Sequence, residues 1–161
     1  MFAQSLSGNV LDTTYFGTAA MRAAIGAAGS GALGQKAAQA EVARWHGTLV
    51  KSTGDGILAR FDAPTRALRC ALALSAAAKR MGIEIRSALH TGEVEIRRDD
   101  LGGIGVHIAS RALAEAGPGE VLVTRTVRDL VTGTEVEFSS RGSVGLRGVP
   151  GEWELFSASL R

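Results

Sequence analysis

Five side chains define the chemistry this chain can offer. Lys51 and Asp55 belong to the run Lys51-Ser52-Thr53-Gly54-Asp55-Gly56; Asp100, His107 and Arg111 follow about half a chain later. A carboxylate at a turn tip is a hard oxygen ligand, suited to holding Mg²⁺ or Mn²⁺ against a triphosphate. A guanidinium places fixed positive charge on phosphate oxygens. His107 stands one helical turn before Arg111 and shares a helix face with it. The set reads as a nucleotide site with a metal, assembled from separated parts of one fold. Each member also has a plainer reading. Asp55 suits a turn for its own sake. Lys51 fits a solvated strand, Asp100 a loop acid beside Asp99, Arg111 a helix surface and His107 a packed interface.

The elements that must position these residues follow from local signals. Thr48 to Ser52 and Ile57 to Phe61 read as strands joined across Thr53-Gly54-Asp55-Gly56, where Asp-Gly is a strong hairpin signal. A helix starts at Asp62-Ala63-Pro64-Thr65, with Asp62 as the cap and Pro64 in the first turn, and Gly82 ends it. Ile83 to Leu89 and Glu93 to Arg97 read as two strands, Asp99 to Gly103 as a loop, and residues 104–116 as a helix stopped by Gly117-Pro118. Glu120 to Thr124 is a strand, Thr126 to Val131 a short helix and Glu135 to Phe138 a strand; a final hairpin joins Val144–Arg147 to Glu152–Phe156. Upstream, residues 17–46 read as a helix broken by glycines that firms up from Gln35 to Trp45. With a first strand somewhere in 2–12, the fold class is α+β. It is a ferredoxin-like βαββαβ core, helices on one face, with additional C-terminal strands and a short helix.

At 161 residues the chain reads as one domain, 1–161, with an ordinary apolar content of 45% and a net charge of only +2. One cysteine excludes a disulfide framework and a cysteine zinc site, and Cys70 reads as a small buried apolar residue. The lack of a leader or a long apolar run points to a cytoplasmic protein with no membrane partner. Nucleic acid is not expected either, because the central strands lack the aromatics that stack bases.

From about Glu41 onward the chain resembles the class III nucleotidyl cyclase catalytic domain of small bacterial adenylate cyclases. The resemblance is carried by EVARWHGTLVKSTGDGILARFD (Glu41–Asp62), LHTGEVE (Leu89–Glu95), DLGGIGVHIASR (Asp100–Arg111), GPGEVLVT (Gly117–Thr124) and LRGVPGEWELF (Leu146–Phe156). It implies conversion of ATP to 3′,5′-cyclic AMP and pyrophosphate, with two metals assisting attack of the ribose 3′-hydroxyl. Asp55 matches a metal-binding aspartate, with Mg²⁺ or Mn²⁺ as cofactor. Lys51 and Asp100 match the purine-reading pair and Arg111 the catalytic arginine. His107 stands where many members carry asparagine. The family's site lies between two head-to-tail subunits, so a homodimer forms two sites. Arg147 reads as a solvated arginine.

Residues 1–40 depart from the family pattern. Ser5 stands where a second metal-binding aspartate belongs, and Asp12 replaces it only in another register. A neutral serine is a much weaker ligand than a bridging carboxylate. A catalytically inactive cyclase-like module, binding nucleotide or pairing with an active partner, therefore stands as the alternative.

Overall fold

The two strands that flank Gly54 and Asp55 pair as the sequence implies. β3 (Thr48–Thr53) and β4 (Gly56–Phe61) are antiparallel, with Thr53 opposite Gly56. The computed structural model describes residues 2–4, 13–24, 32–53, 56–97, 100–131 and 135–161, so Ser5, Asp12 and Asp55 lie outside the described residues. Helix α2 (Pro64–Arg80) has its proline in the first turn, where no backbone N–H is needed. Its N-cap is Ala63, without a side-chain cap bond. Asp62, expected in that role, instead accepts from Arg66 Nη1 at 2.8 Å, a charge-assisted bond that competes with capping. Gly82 adopts φ 73°, and the N–H groups of Gly82 and Ile83 return to the carbonyls of Lys79 and Ala78, closing the helix.

The N-terminal third departs most from expectation. Among the described residues β1 is Phe2–Gln4, and the first core strand is β2 (Thr13–Ala24). Ala19, Ala20, Ala23 and Ala24 therefore sit in a strand, not in the start of a broken helix; helix α1 runs Ala32–Arg44. The physical reason is pairing on both edges. Ala19–Ala24 pair with β4 on one side and with β5 (Arg86–Arg97) on the other. Ladder hydrogen bonds on two sides outweigh a helix propensity of a few tenths of a kcal/mol per residue. The same partner explains why β5 is one strand instead of two. It follows β2 across the whole stretch, with a register irregularity between Tyr15 and Thr18 absorbing the mismatch.

Downstream lie β6 (Asp100–Gly102), α3 (Ile104–Glu115), β7 (Val121–Thr124), α4 (Arg125–Leu130), β8 (Val136–Gly145) and β9 (Glu152–Leu160). β8 unites the segments expected separately at 135–138 and 144–147, because it follows β9 through an irregularity between Ser140 and Ser143. The sheet order is β3-β4-β2-β5-β7-β9-β8, with β1 against β2 and β6 against β5. Its β3-β4-β2-β5 half, with α1 and α2, is the ferredoxin-like core; β7, β9 and β8 extend it.

The helices do not share one face. Met21, Ile57, Ala59, Phe61, Leu89, Val121 and Val123 pack with α1 and α2 in the main core. The alternate strand residues Leu58, Ala88, Leu122 and Leu155 point the other way and pack against Ala109, Ala112 and Ala116, on α3 and just beyond it. Small residues let α3 approach closely. A Cβ at Gly105 would stand 2.7 Å from the Glu93 carbonyl oxygen. Cys70 is buried in the main core, and burial first, with Glu41 second, pushes its thiol up to about 12. That fits the inert packing role expected of it.

Candidate active site

Lys51 reaches the α3 face of the sheet through a bulge. Leu49 pairs with Ala59 and Lys51 with Leu58, leaving Val50 as the extra residue. Directly paired residues share a face, so Lys51 joins Leu58 on the side where α3 lies, and Val50 packs there as well. On that face Lys51 meets Asp100, the first residue of β6, with Nζ 3.5 Å from Oδ2. The two side chains are each 48% exposed. A half-exposed pair at this distance contributes only about 0–1 kcal/mol, so a ligand can exchange partners with it at little cost.

β6 leads directly into α3. Gly103 makes the corner at φ 95°, and a Cβ there would come within 3.3 Å of the Glu95 nitrogen. The His107 N–H donates to the Gly103 carbonyl at 3.3 Å. His107 and Arg111 are half-buried on successive turns of α3, on the side of the sheet that holds the Lys51–Asp100 pair. His107 Nε2 also abuts Gly148, in the turn between β8 and β9; a Cβ placed there would be 3.1 Å away. Arg147, beside it, is exposed, as expected.

The hairpin's other flank differs. β2 runs alongside β4 to its very start, with Arg22 opposite Leu58, Ala23 opposite Ile57 and Ala24 opposite Gly56. Nowhere from Thr13 to Ala24 is there an aspartate or glutamate. Among the described residues, no group of three histidine, cysteine, aspartate or glutamate side chains stands ready for a metal. Asp55, the proposed ligand, lies outside the described residues, as do Ser5 and Asp12.

One buried polar set was not singled out by residue type. His90 on β5 is buried, with Nδ1 2.9 Å from Thr124 Oγ1 and its ring edge-on to Trp153 at 5.6 Å. Burial lowers its pKa to about 4, so it is neutral at neutral pH. The segment Leu89–Glu95 contains it, yet only the strand's alternation and its parallel pairing to β7 reveal that it faces Thr124.

No protein-family model matches the chain. The putative adenylate cyclase 3 of Rhizobium meliloti is 35% identical over 105 residues, which make up 60% of this chain and 18% of that protein. The chain thus spans less than a fifth of that curated relative's length. The crystal structure of an adenylate/guanylate cyclase/hydrolase from Silicibacter pomeroyi aligns with a TM-score of 0.75 at 25% identity, over 89% of this chain and 97% of that one. The catalytic core of a rhodopsin-guanylyl cyclase with converted specificity, in complex with ATPαS, aligns at 0.81 and 21% identity, over 93% and 99%. Adenylate and guanylate cyclases both stand among the structural neighbours. No described helix is long and apolar enough to cross a membrane.

Proposed function

We propose that this chain, which has the fold of the class III nucleotidyl cyclase catalytic domains, recognises ATP and converts it to 3′,5′-cyclic AMP and pyrophosphate. The observation that carries the reading is the Lys51–Asp100 pair, Nζ to Oδ2 at 3.5 Å, on the α3 face of the sheet. Adenine presents an amino donor next to a ring-nitrogen acceptor. Asp100 accepts from the first and Lys51 donates to the second, whereas guanine presents the opposite requirement. The similarity to a putative adenylate cyclase supports the same choice.

In the reaction the ribose 3′-hydroxyl oxygen bonds to the α-phosphorus, its proton departs, and the bond to pyrophosphate breaks. Arg111 holds the charge that grows on the phosphate oxygens, and His107 donates a hydrogen bond toward ribose or phosphate. In the head-to-tail homodimer that the family resemblance implies, these residues of one copy complete a site begun by the Asp55 hairpin of the other. Family members use divalent metal, and Mg²⁺ or Mn²⁺ is the proposed cofactor at Asp55. The described residues hold no metal-ligand cluster of their own.

That same observation favours a second reading. A chain without a carboxylate along Thr13–Ala24 can bind nucleotide and serve as a partner without chemistry of its own. One experiment separates the two. Purified chain is given ATP or GTP with Mn²⁺, cyclic nucleotide is measured by chromatography, and binding is measured by calorimetry. Cyclic AMP formation supports the first reading. ATP binding without product supports the second, and equal affinity for ATP and GTP sinks the assignment of Lys51 and Asp100.

A further inference from the structure

We propose that the β8–β9 turn, Leu146–Gly151, is a clamp that positions His107, with Gly148 as the residue that makes it possible. The proposal deepens the nucleotide-site reading and rests on it for the role of His107.

The turn is built onto α3 from two sides. Leu146 and Val149 are buried against Ile108, the helix residue next to His107, in a small cluster that Val144 and Trp153 border. The Val149 N–H donates to the Leu146 carbonyl at 3.0 Å, and Trp153 Nε1 donates to the Pro150 carbonyl at 3.1 Å, fixing the turn's shape. Between these anchors Gly148 lays bare backbone beside the imidazole, where a Cβ would stand 3.1 Å from Nε2 and 3.8 Å from Cε1. The helix end carrying His107 is itself seated on β5 by Gly103 and Gly105. The ring therefore lies between two fixed bodies, which limits its rotamers before any nucleotide arrives. A donor ordered in advance loses less entropy on binding.

A glycine at φ 76° suits the turn's backbone as well as the ring, and the molecule contains the control that separates these causes. Gly151 closes the same turn at φ 81° with nothing within 4 Å of its Cβ position. Gly151→Ala thus measures backbone strain alone, and Gly148→Ala adds the encounter with His107.

Both variants are made in the full chain, with and without His107→Ala, and their melting temperatures and ATP affinities are measured. Gly148→Ala is expected to melt about 2–4 °C below Gly151→Ala, as overpacking of about 1 kcal/mol predicts for a chain of this size. That excess disappears in the His107→Ala background. ATP affinity falls about 3- to 10-fold in Gly148→Ala and stays at the wild-type value in Gly151→Ala. An excess that survives removal of His107 overturns the contact. Unchanged ATP affinity in Gly148→Ala overturns the positioning role and leaves a packing contact. A wild-type chain that binds no ATP sinks the nucleotide reading and the positioning role with it. The melting cycle still reports the contact in that case, so the two failures are distinguishable.

Discussion

The Lys51–Gly56 hairpin has two flanks, and they are furnished differently. On one, a strand bulge and the short β6 bring Lys51 to within 3.5 Å of Asp100, beside a helix that carries His107 and Arg111. On the other, the neighbouring strand brings Arg22, Ala23 and Ala24 to the hairpin and no carboxylate. The residues proposed to recognise nucleotide and the residue proposed to hold metal, Asp55, are distinct, so the two roles can be tested separately.

Each prediction tests that asymmetry. The largest effect is expected on the recognition flank. Arg111→Ala should lower cyclic AMP formation about 10²- to 10³-fold while changing ATP affinity far less, as steady-state kinetics and calorimetry will tell. Equal loss in both would make Arg111 a binding residue only. Next, Lys51→Ala with Asp100→Ala should weaken ATP binding about 100-fold, from two charge-assisted hydrogen bonds of about 1.5 kcal/mol each, and leave GTP binding unchanged. Unaltered preference for ATP would remove the purine role and with it the comparison.

A third prediction concerns buried His90. The pKa of His90, about 4, lies below the ordinary 6.5, so between these values the unfolded chain binds the proton more readily than the folded one. The stability contributed by neutral His90 is fully present above pH 6.5 and is lost as pH falls toward 4, by about 3 kcal/mol in total. Urea unfolding at a series of pH values should show this slope, and His90→Gln should flatten it. The smallest effect is a gain on the poor flank. Ala24→Asp, opposite Gly56, should raise Mn²⁺ affinity about tenfold by adding a carboxylate beside the hairpin. No gain would mean that the deficiency extends beyond one missing ligand.

Elements bounded by their own residues were legible in the sequence. Pro64 and Gly82 delimit α2 as expected, the two strands that flank Gly54 and Asp55 pair as expected, and the helix expected at 104–116 runs Ile104–Glu115. The ferredoxin-like order was legible too. The errors fall where remote partners decide. The alanines of 19–24 read as helix because nothing local announces that β4 and β5 lie on either side. The two strands expected between Ile83 and Arg97 became one for the same reason. The candidate residues were nominated by type and by the resemblance, and His90 was not among them, since only the fold shows it facing Thr124 and Trp153.

The sequence by itself determined turn positions, helix ends, the inventory of donors and acceptors, and the absence of a carboxylate in Thr13–Ala24. These depend on single residues and their near neighbours, whose φ preferences and side-chain chemistry travel with the chain. Only the tertiary structure decided that Thr13–Ala24 is an interior strand paired on both edges, that α3 crosses to the face opposite α1 and α2, and that Lys51 meets Asp100. Those outcomes depend on strand register and on which face each side chain occupies. Both are set by hydrogen bonds and packing between segments far apart in the chain, where a bulge of one residue moves a lysine to the other side of a sheet.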